Sequence, residues 1–198
     1  MSISVALCTH EGSRFVVEQA ESILQQTRMP DEVVLSDDAS SDRTVELVES
    51  VFSRNTDIQL RVLRNERPLG IVSNFQQAVL ATSGDIVFLS DQDDKWRPEK
   101  IERMLAEFDR RPDLLLLHTD ALLVDERGAS LGLTLFNSLE VSDEEITALE
   151  SGRAFSVLLR RNLALGASMA FRRRLLDVAV PFADAWVHDE WLAIIGAS

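Results

Sequence analysis

One cysteine, three histidines, five prolines and eight glycines deprive several protein classes of their raw material. Cys8 has no second cysteine to pair with, so an internal disulfide is excluded and a reducing, cytoplasmic setting is expected. So few glycines and prolines argue against fibrous and disordered chains. No segment approaches the roughly 20 apolar residues that cross a bilayer, and the N-terminus enters an apolar stretch without a basic region, so no secretory signal is expected. Positive charge is scarce as well: with a net charge of -13 and a pI of 4.6, the chain offers no general basic surface for nucleic acid. Also missing are a G-x-S-x-G elbow, a P-loop lysine motif, a G-x-G-x-x-G after the first apolar run, and any Cys/His cluster at zinc-ligand spacing. There is no internal repeat, linker or low-complexity segment.

What remains is a chain of 198 residues, 45% hydrophobic, long enough for one α/β core and too short for two; residues 1–198 read as a single domain. Short apolar runs alternate with amphipathic segments. Ile3–Cys8, Glu32–Ser36, Ile58–Leu63 and Ile86–Leu89 predict strands, the third half-exposed and near an edge. Between them, Phe15 to Leu24, Thr44 to Phe52 and the segment around Phe75 to Val79 carry helical spacing, with Ser13 as N-cap of the first and Ser41 or Asp42 of the second. Connections of this length between strands demand crossovers, hence a mostly parallel sheet with helices on both faces. A helix follows Pro98 and ends before Pro112; Leu114–His118 predicts a further buried strand, continued through Val124. Ser142 starts a helix with acids in its first turn, Asn162 to Phe171 returns a strand, and a short helix over Leu175 to Val180 ends at Pro181. Two basic clusters, Arg160-Arg161 and Arg172-Arg173-Arg174, read as solvated helix faces in preference to phosphate contacts or peripheral contact with a membrane surface.

The chemistry concentrates at Asp91-Gln92-Asp93-Asp94, directly after the buried run Ile86–Leu89 and two residues before Trp96. Spacing alone reads equally as a solvent-facing acidic loop. Its place at the carboxyl end of a buried strand, where open α/β sheets bind ligands, favours a site. Asp37-Asp38 ends another such strand, so the two loops predict a cleft. Carboxylates this close repel unless a cation sits among them; magnesium or manganese, shared with substrate phosphates, suits the cleft better than zinc. His188-Asp189 reads either as a helix start or as a site whose carboxylate serves as a general base. Cys8, inside a predicted strand, is expected to be a small core residue.

In order along the chain, Cys8-Thr9-His10, Leu35-Ser36-Asp37-Asp38-Ala39-Ser40-Ser41-Asp42, Leu69-Gly70 with Asn74-Phe75, Phe88 to Trp96, and His188-Asp189-Glu190-Trp191 together resemble family 2 glycosyltransferases of the GT-A fold, with most likeness to the bacterial rhamnosyltransferase-like branch. The resemblance implies a metal-assisted, inverting transfer of a sugar, rhamnose among the candidates, from a nucleotide-diphosphate donor to a saccharide or lipid-linked acceptor hydroxyl, at the inner face of the cell membrane in envelope polysaccharide biosynthesis. It assigns Thr9, Asp37 and Asp38 to the base and ribose, Asp91 and Asp93 to the donor, Asp93 or Asp94 to a Mg or Mn ion, and Asp189 to the catalytic base. His10-Glu11 stands where Tyr-Asn is usual and Leu165 where threonine is common. Relatives usually continue past the H-D motif, so a C-terminal extension is expected to be lacking. The competing readings are a non-catalytic nucleotide-sugar-binding or scaffold domain and a nucleotidyltransferase, the latter disfavoured because no glycine-rich basic loop follows the first strand.

Overall fold

A computed structural model describes residues 1–54 and 57–198. Four strands form the parallel part of the sheet: β1 (Ile3–Thr9), β2 (Glu32–Asp37), β3 (Gln59–Arg64) and β4 (Ile86–Asp91). β1, β2 and most of β4 are buried along their length, as β-branched runs without alternation require. Helices α1 (Val16–Leu24), α2 (Thr44–Phe52), α3 (Ile71–Ala81) and α4 (Lys100–Arg110) alternate with them. Three short strands follow, β5 (Leu116–His118), β6 (Leu122–Val124) and β7 (Ser130–Thr134), then α5 (Leu135–Ser138), α6 (Asp143–Glu150), α7 (Ala154–Leu158), β8 (Met169–Arg172), α8 (Leu176–Ala179) and α9 (His188–Gly196).

The main sheet runs β3-β2-β1-β4-β8-β5, with β8 antiparallel to both its neighbours; β6 and β7 pair in a separate antiparallel hairpin. Alternate residues of each central strand feed two cores. Ile3, Val5, Leu7, Ile86 and Phe88 pack with α1, α2 and α4, while Ala6, Cys8, Val87 and Leu89 pack with α3, α7, α8 and α9. Helices therefore cover both faces of a mostly parallel sheet, as the alternation of segments predicts.

The structure changes several sequence expectations. Ser13 is not an N-cap: the chain from Gly12 turns first, Phe15 N and Val16 N both donate to Gly12 O, and α1 begins without a side-chain cap. Nor is Ser41 or Asp42 the N-cap of α2: that position is Arg43, without a side-chain cap, and Asp42 just before it accepts from Thr44 N at 2.9 Å through Oδ1 and from Ser13 N through Oδ2. The strand expected from Leu114 to Val124 is two strands, because the Asp120 carboxylate accepts from Ala121 N and Phe136 N and turns the chain; β5 is an edge strand and only half-buried. The arginine cluster is not a solvated face. Arg172 donates to the carbonyls of Leu114 and Phe108, Arg173 to that of Thr82 and Arg174 to that of Pro112, tying loops at the amino edge of the sheet. Arg161 likewise grips Glu145 through Nε and Nη2 at 3.0 and 2.9 Å, anchoring α6, which starts at Ser142 as expected and is closed there by a capping box.

Candidate active site

The parallel register brings the predicted site residues to one edge. Thr9 lies beside Asp37 and Cys8 beside Asp91, so the carboxyl ends of β1, β2 and β4 finish level. Thr9 Oγ1 donates to Asp37 Oδ1 at 2.7 Å, and the same carboxylate accepts from Ser40 N and Ser40 Oγ. Asp38 is buried, and both its oxygens are engaged: Oδ1 accepts from Leu69 N (2.7 Å) and Asn65 Nδ2 (3.1 Å), and Oδ2 from Gly70 N (2.9 Å). It thereby fixes the loop that enters α3.

The loop after β1 is fastened on both sides. Glu11 adopts a φ of 47°, a conformation that suits Asn better, and is held there by Ser41 N and Ser41 Oγ donating to its carboxylate while its own N–H donates to Ser40 Oγ. His10 Nδ1 lies 2.7 Å from the Asp38 carbonyl. Across the edge, Gln92 accepts from His10 N at 2.8 Å and donates to His10 O at 3.0 Å. Gly12 leaves room for this clamp: a Cβ there would stand 2.1 Å from Gln92 Oε1.

Beneath the acidic loop, α1 supplies two buttresses. Ser22 Oγ accepts from Trp96 N at 3.0 Å. In the amide orientation that satisfies its neighbours, Gln19 donates to the Asp94 carbonyl at 2.7 Å and accepts from Ser90 Oγ and Trp96 Nε1. Trp96 is buried and packs on Phe88.

The carboxylates held on this platform are unlike those of Asp31, Glu32 and Asp85. At the amino edge of the sheet, Glu32 accepts from Ser4 and Ser83, Asp31 from Ile3 N and Asp85 from Ser2 N, so each acid there has its donors. Among the described residues no donor reaches the carboxylates of Asp91, Asp93 or Asp94. Burial pushes Asp91 up to about 7, reinforced by the charges of Asp94, Asp93 and Asp189 and opposed by Lys100. Asp94 rises to about 6 through burial and the Asp93 charge. Lys100, at the start of α4, is held down to about 7 by burial against the pull of Asp94 and Asp91; its Nζ donates to Ala167 O at 2.5 Å and stands 4.1 Å from the centre of the Trp96 ring.

The opposite wall comes from the last helix. Asp189 is buried in the first turn of α9, with Oδ2 accepting from Gly166 N at 3.0 Å and Oδ1 from Asn162 Nδ2 at 3.1 Å and Glu190 N at 2.7 Å. Its charge contributes to the field at Asp91, 98 positions earlier in the sequence. His188 is buried, stacks on Phe75 with ring centres 3.8 Å apart, and points Nε2 at Gly166, where a Cβ would come within 2.9 Å. Burial holds His188 down to about 4 against the Asp189 charge. Cys8 is buried and its thiol is pushed up, first by burial and then by Asp91 and Asp38, which fits a core residue and not a nucleophile.

Among the described residues no group of three or more His, Cys, Asp or Glu side chains converges to hold an ion unaided. Two unpartnered, half-buried carboxylates do suit a hard divalent ion whose remaining ligands are substrate phosphates and water. Sequence reasoning names every acid of the cleft but not Lys100, Gln19, Gln92 or Asn162, whose partners lie 27 to 82 positions away and leave no periodic signal.

A β3-β2-β1-β4 parallel edge followed by a reversed strand, with acids at the ends of β2 and β4 and a third on the helix beyond, defines a GT-A type fold. Residues 4–177 match the family described as glycosyl transferase family 2, and the chain belongs to that family. It is 28% identical over 194 residues to the uncharacterized glycosyltransferase YwdF of Bacillus subtilis, covering 96% of this chain and 65% of that protein. The S. aureus protein TarS, residues 1-349, solved with UDP-GlcNAc, superposes with a TM-score of 0.72 at 24% identity, over 100% of this chain and 53% of that one. The mannosyltransferase PcManGT of Pyrobaculum calidifontis, solved with GDP-Man and Mn2+, gives 0.69 at 20% identity, over 96% and 49%. The chain thus spans about half the length of the solved relatives it matches. Among the described residues no helix is long and apolar enough to cross a membrane.

Proposed function

We propose that the chain carries the donor-binding and catalytic core of an inverting glycosyltransferase that moves a sugar from a nucleotide diphosphate to an acceptor hydroxyl of a saccharide or lipid-linked saccharide. The observation that carries this reading is the pairing of donor-starved carboxylates at Asp91 and Asp94 with a fully positioned Asp189 across the same cleft. In this reading Thr9, Asp37 and Asp38 form the end of the cleft that receives base and ribose, in part by shaping the loops around it. Asp91 and Asp93 bind the donor, and Asp93 or Asp94 touches a Mg or Mn ion. The ion, when bound, offsets charge on the departing diphosphate. Its presence in the PcManGT complex supports testing manganese first.

Asp189 is the general base. Three N–H donors fix its carboxylate, and an acceptor hydroxyl within hydrogen-bond reach passes its proton to Asp189 as the new C–O bond forms. The bond from the anomeric carbon to the diphosphate breaks on the opposite face, which inverts that carbon. Likeness to the rhamnosyltransferase-like branch places rhamnose among the first sugars to test, and peripheral work at the cytoplasmic face of a membrane is part of the same reading.

The test is a thermal-shift screen of nucleotide sugars with and without manganese, followed by transfer assays with the stabilising donor. Selective stabilisation by one donor together with transfer supports the proposal. Stabilisation without transfer or hydrolysis makes the chain a binding domain, and no stabilisation by any nucleotide sugar rejects the reading.

A further inference from the structure

The chain contains two lysines, Lys95 and Lys100, and they sit in opposite circumstances. Lys95 is exposed and pairs with Glu18 on the surface. Lys100 is drawn inward at the start of α4, its ammonium above the Trp96 ring and bonded to Ala167 O. It lies within the fields of Asp91 and Asp94 yet within 4.0 Å of no carboxylate oxygen among the described residues. A desolvated ammonium is costly unless it is hydrogen-bonded or paired, and Lys100 donates to the Ala167 carbonyl.

What it holds is the turn that donates a hydrogen bond to the proposed base. Ala167 lies in the 3-10 turn Gly166–Ser168. Gly166, its first residue, donates N–H to Asp189 Oδ2, and Ser168, its last, accepts from Thr119 N at the end of β5. Lys100 thus joins two walls that share no other side-chain bond among the described residues: the loop 91–96, stacked on it through Trp96, and the turn 166–168, bonded to Asp189.

We propose that Lys100 is a positioning residue that sets the placement of Asp189 relative to the donor loop by holding the Ala167 carbonyl. This deepens the functional reading above and rests on it. Lys100 serves transfer more than donor capture: the ammonium acts through the turn and the base, so its loss is felt when the acceptor proton moves.

The experiment compares K100M, which keeps the length and apolar stem, with K100R and with K95M as the surface control, each in wild-type and Asp189→Asn backgrounds. For K100M we expect kcat to fall at least about tenfold while donor KM stays within about twofold, with partial recovery in K100R and no change in K95M. In the Asp189→Asn background K100M should cost less than about twofold further, because two residues acting through one step are not additive. Hydrogen exchange at Gly166 should quicken in K100M and not in K95M, a readout that does not need turnover. Proportional loss of donor affinity and kcat, full additivity with Asp189→Asn, or unchanged Gly166 exchange overturns the coupling. A wild-type chain that binds no nucleotide sugar overturns the functional reading first and this inference with it; one that binds and transfers while K100M matches it overturns the inference alone.

Discussion

Asp38 separates a ligand-binding carboxylate from a loop-holding one. The family resemblance gives it to the nucleotide, whereas the structure gives both its oxygens to the protein: Leu69 N at 2.7 Å, Gly70 N at 2.9 Å and Asn65 Nδ2 at 3.1 Å. Truncation to alanine removes three charge-assisted bonds, each worth about 1.5–3 kcal/mol. Leu69 and Gly70 are exposed, so water replaces much of what their N–H groups lose, and the expected cost settles at about 2–4 kcal/mol. For a domain of this size that is a fall in Tm of roughly 5–15 °C. Asp38→Asn keeps one carbonyl oxygen and should lose about half as much. Thermal and urea unfolding of both variants, with donor affinity measured below the transition, decides the matter. If Asp38→Ala keeps its Tm within about 2 °C while nucleotide binding disappears, the carboxylate's working partner is the ligand and the loop-holding account is wrong.

Three further outcomes follow from the same geometry. Asp189→Asn should lower kcat by about 10²–10⁴ while donor affinity stays within about twofold, since the base takes part only in transfer; full activity in steady-state assays would move the base elsewhere. Gly12→Ala drives a Cβ into Gln92 and should break the clamp on His10, costing about 1–2 kcal/mol; the same substitution made beside Gln92→Ala should cost less than the sum of the two, and strict additivity by urea unfolding would refute the clash. Asp91 carries a folded-state value of about 7 against an ordinary 3.8, so its penalty is present above pH 7 and disappears as pH falls toward 3.8. Asp91→Asn should therefore stabilise the metal-free chain by up to about 4 kcal/mol at pH 8 and by less than about 1 kcal/mol at pH 4, measured as the difference in unfolding free energy from wild type; an equal gain at both pH values would show that charge is not the cause.

The sequence exposes strands β1, β2 and β4 almost to the residue, because a segment buried on both faces reads as an apolar run, and its few buried polar members, such as Ser4, Glu32 and Ser36, are each partnered. The ends of those runs name Asp37 and Asp91 directly. Half-exposure marks β3 as an edge for the same reason. The break between β5 and β6 is invisible because Asp120 acts on Phe136, sixteen residues on, and the role of Arg172 to Arg174 is invisible because their acceptors are backbone carbonyls that any sequence supplies. Lys100 is the sharpest case. Its spacing to Trp96 is ordinary for a helix start, and only the fold shows that its ammonium meets residue 167.

The acids of this chain divide by what surrounds them, not by what precedes them. Asp31-Glu32 and Asp37-Asp38 are the same kind of dipeptide at the two ends of β2, and both are satisfied by hydroxyls and N–H groups of the protein. Asp91 and Asp94 stand on an equally rigid support, with Gln19 and Ser22 beneath and Gln92 locked to His10, yet that support offers their carboxylates nothing. A loop that was merely solvated would need no such buttress, and a structural one would supply donors. Rigid placement of unpaired charge costs stability, and it persists where the missing partner arrives from outside. Asp189 differs again: its donors fix its orientation while its charge adds to the field at Asp91, which is what the proposed division between a cation-binding wall and a proton-accepting base requires.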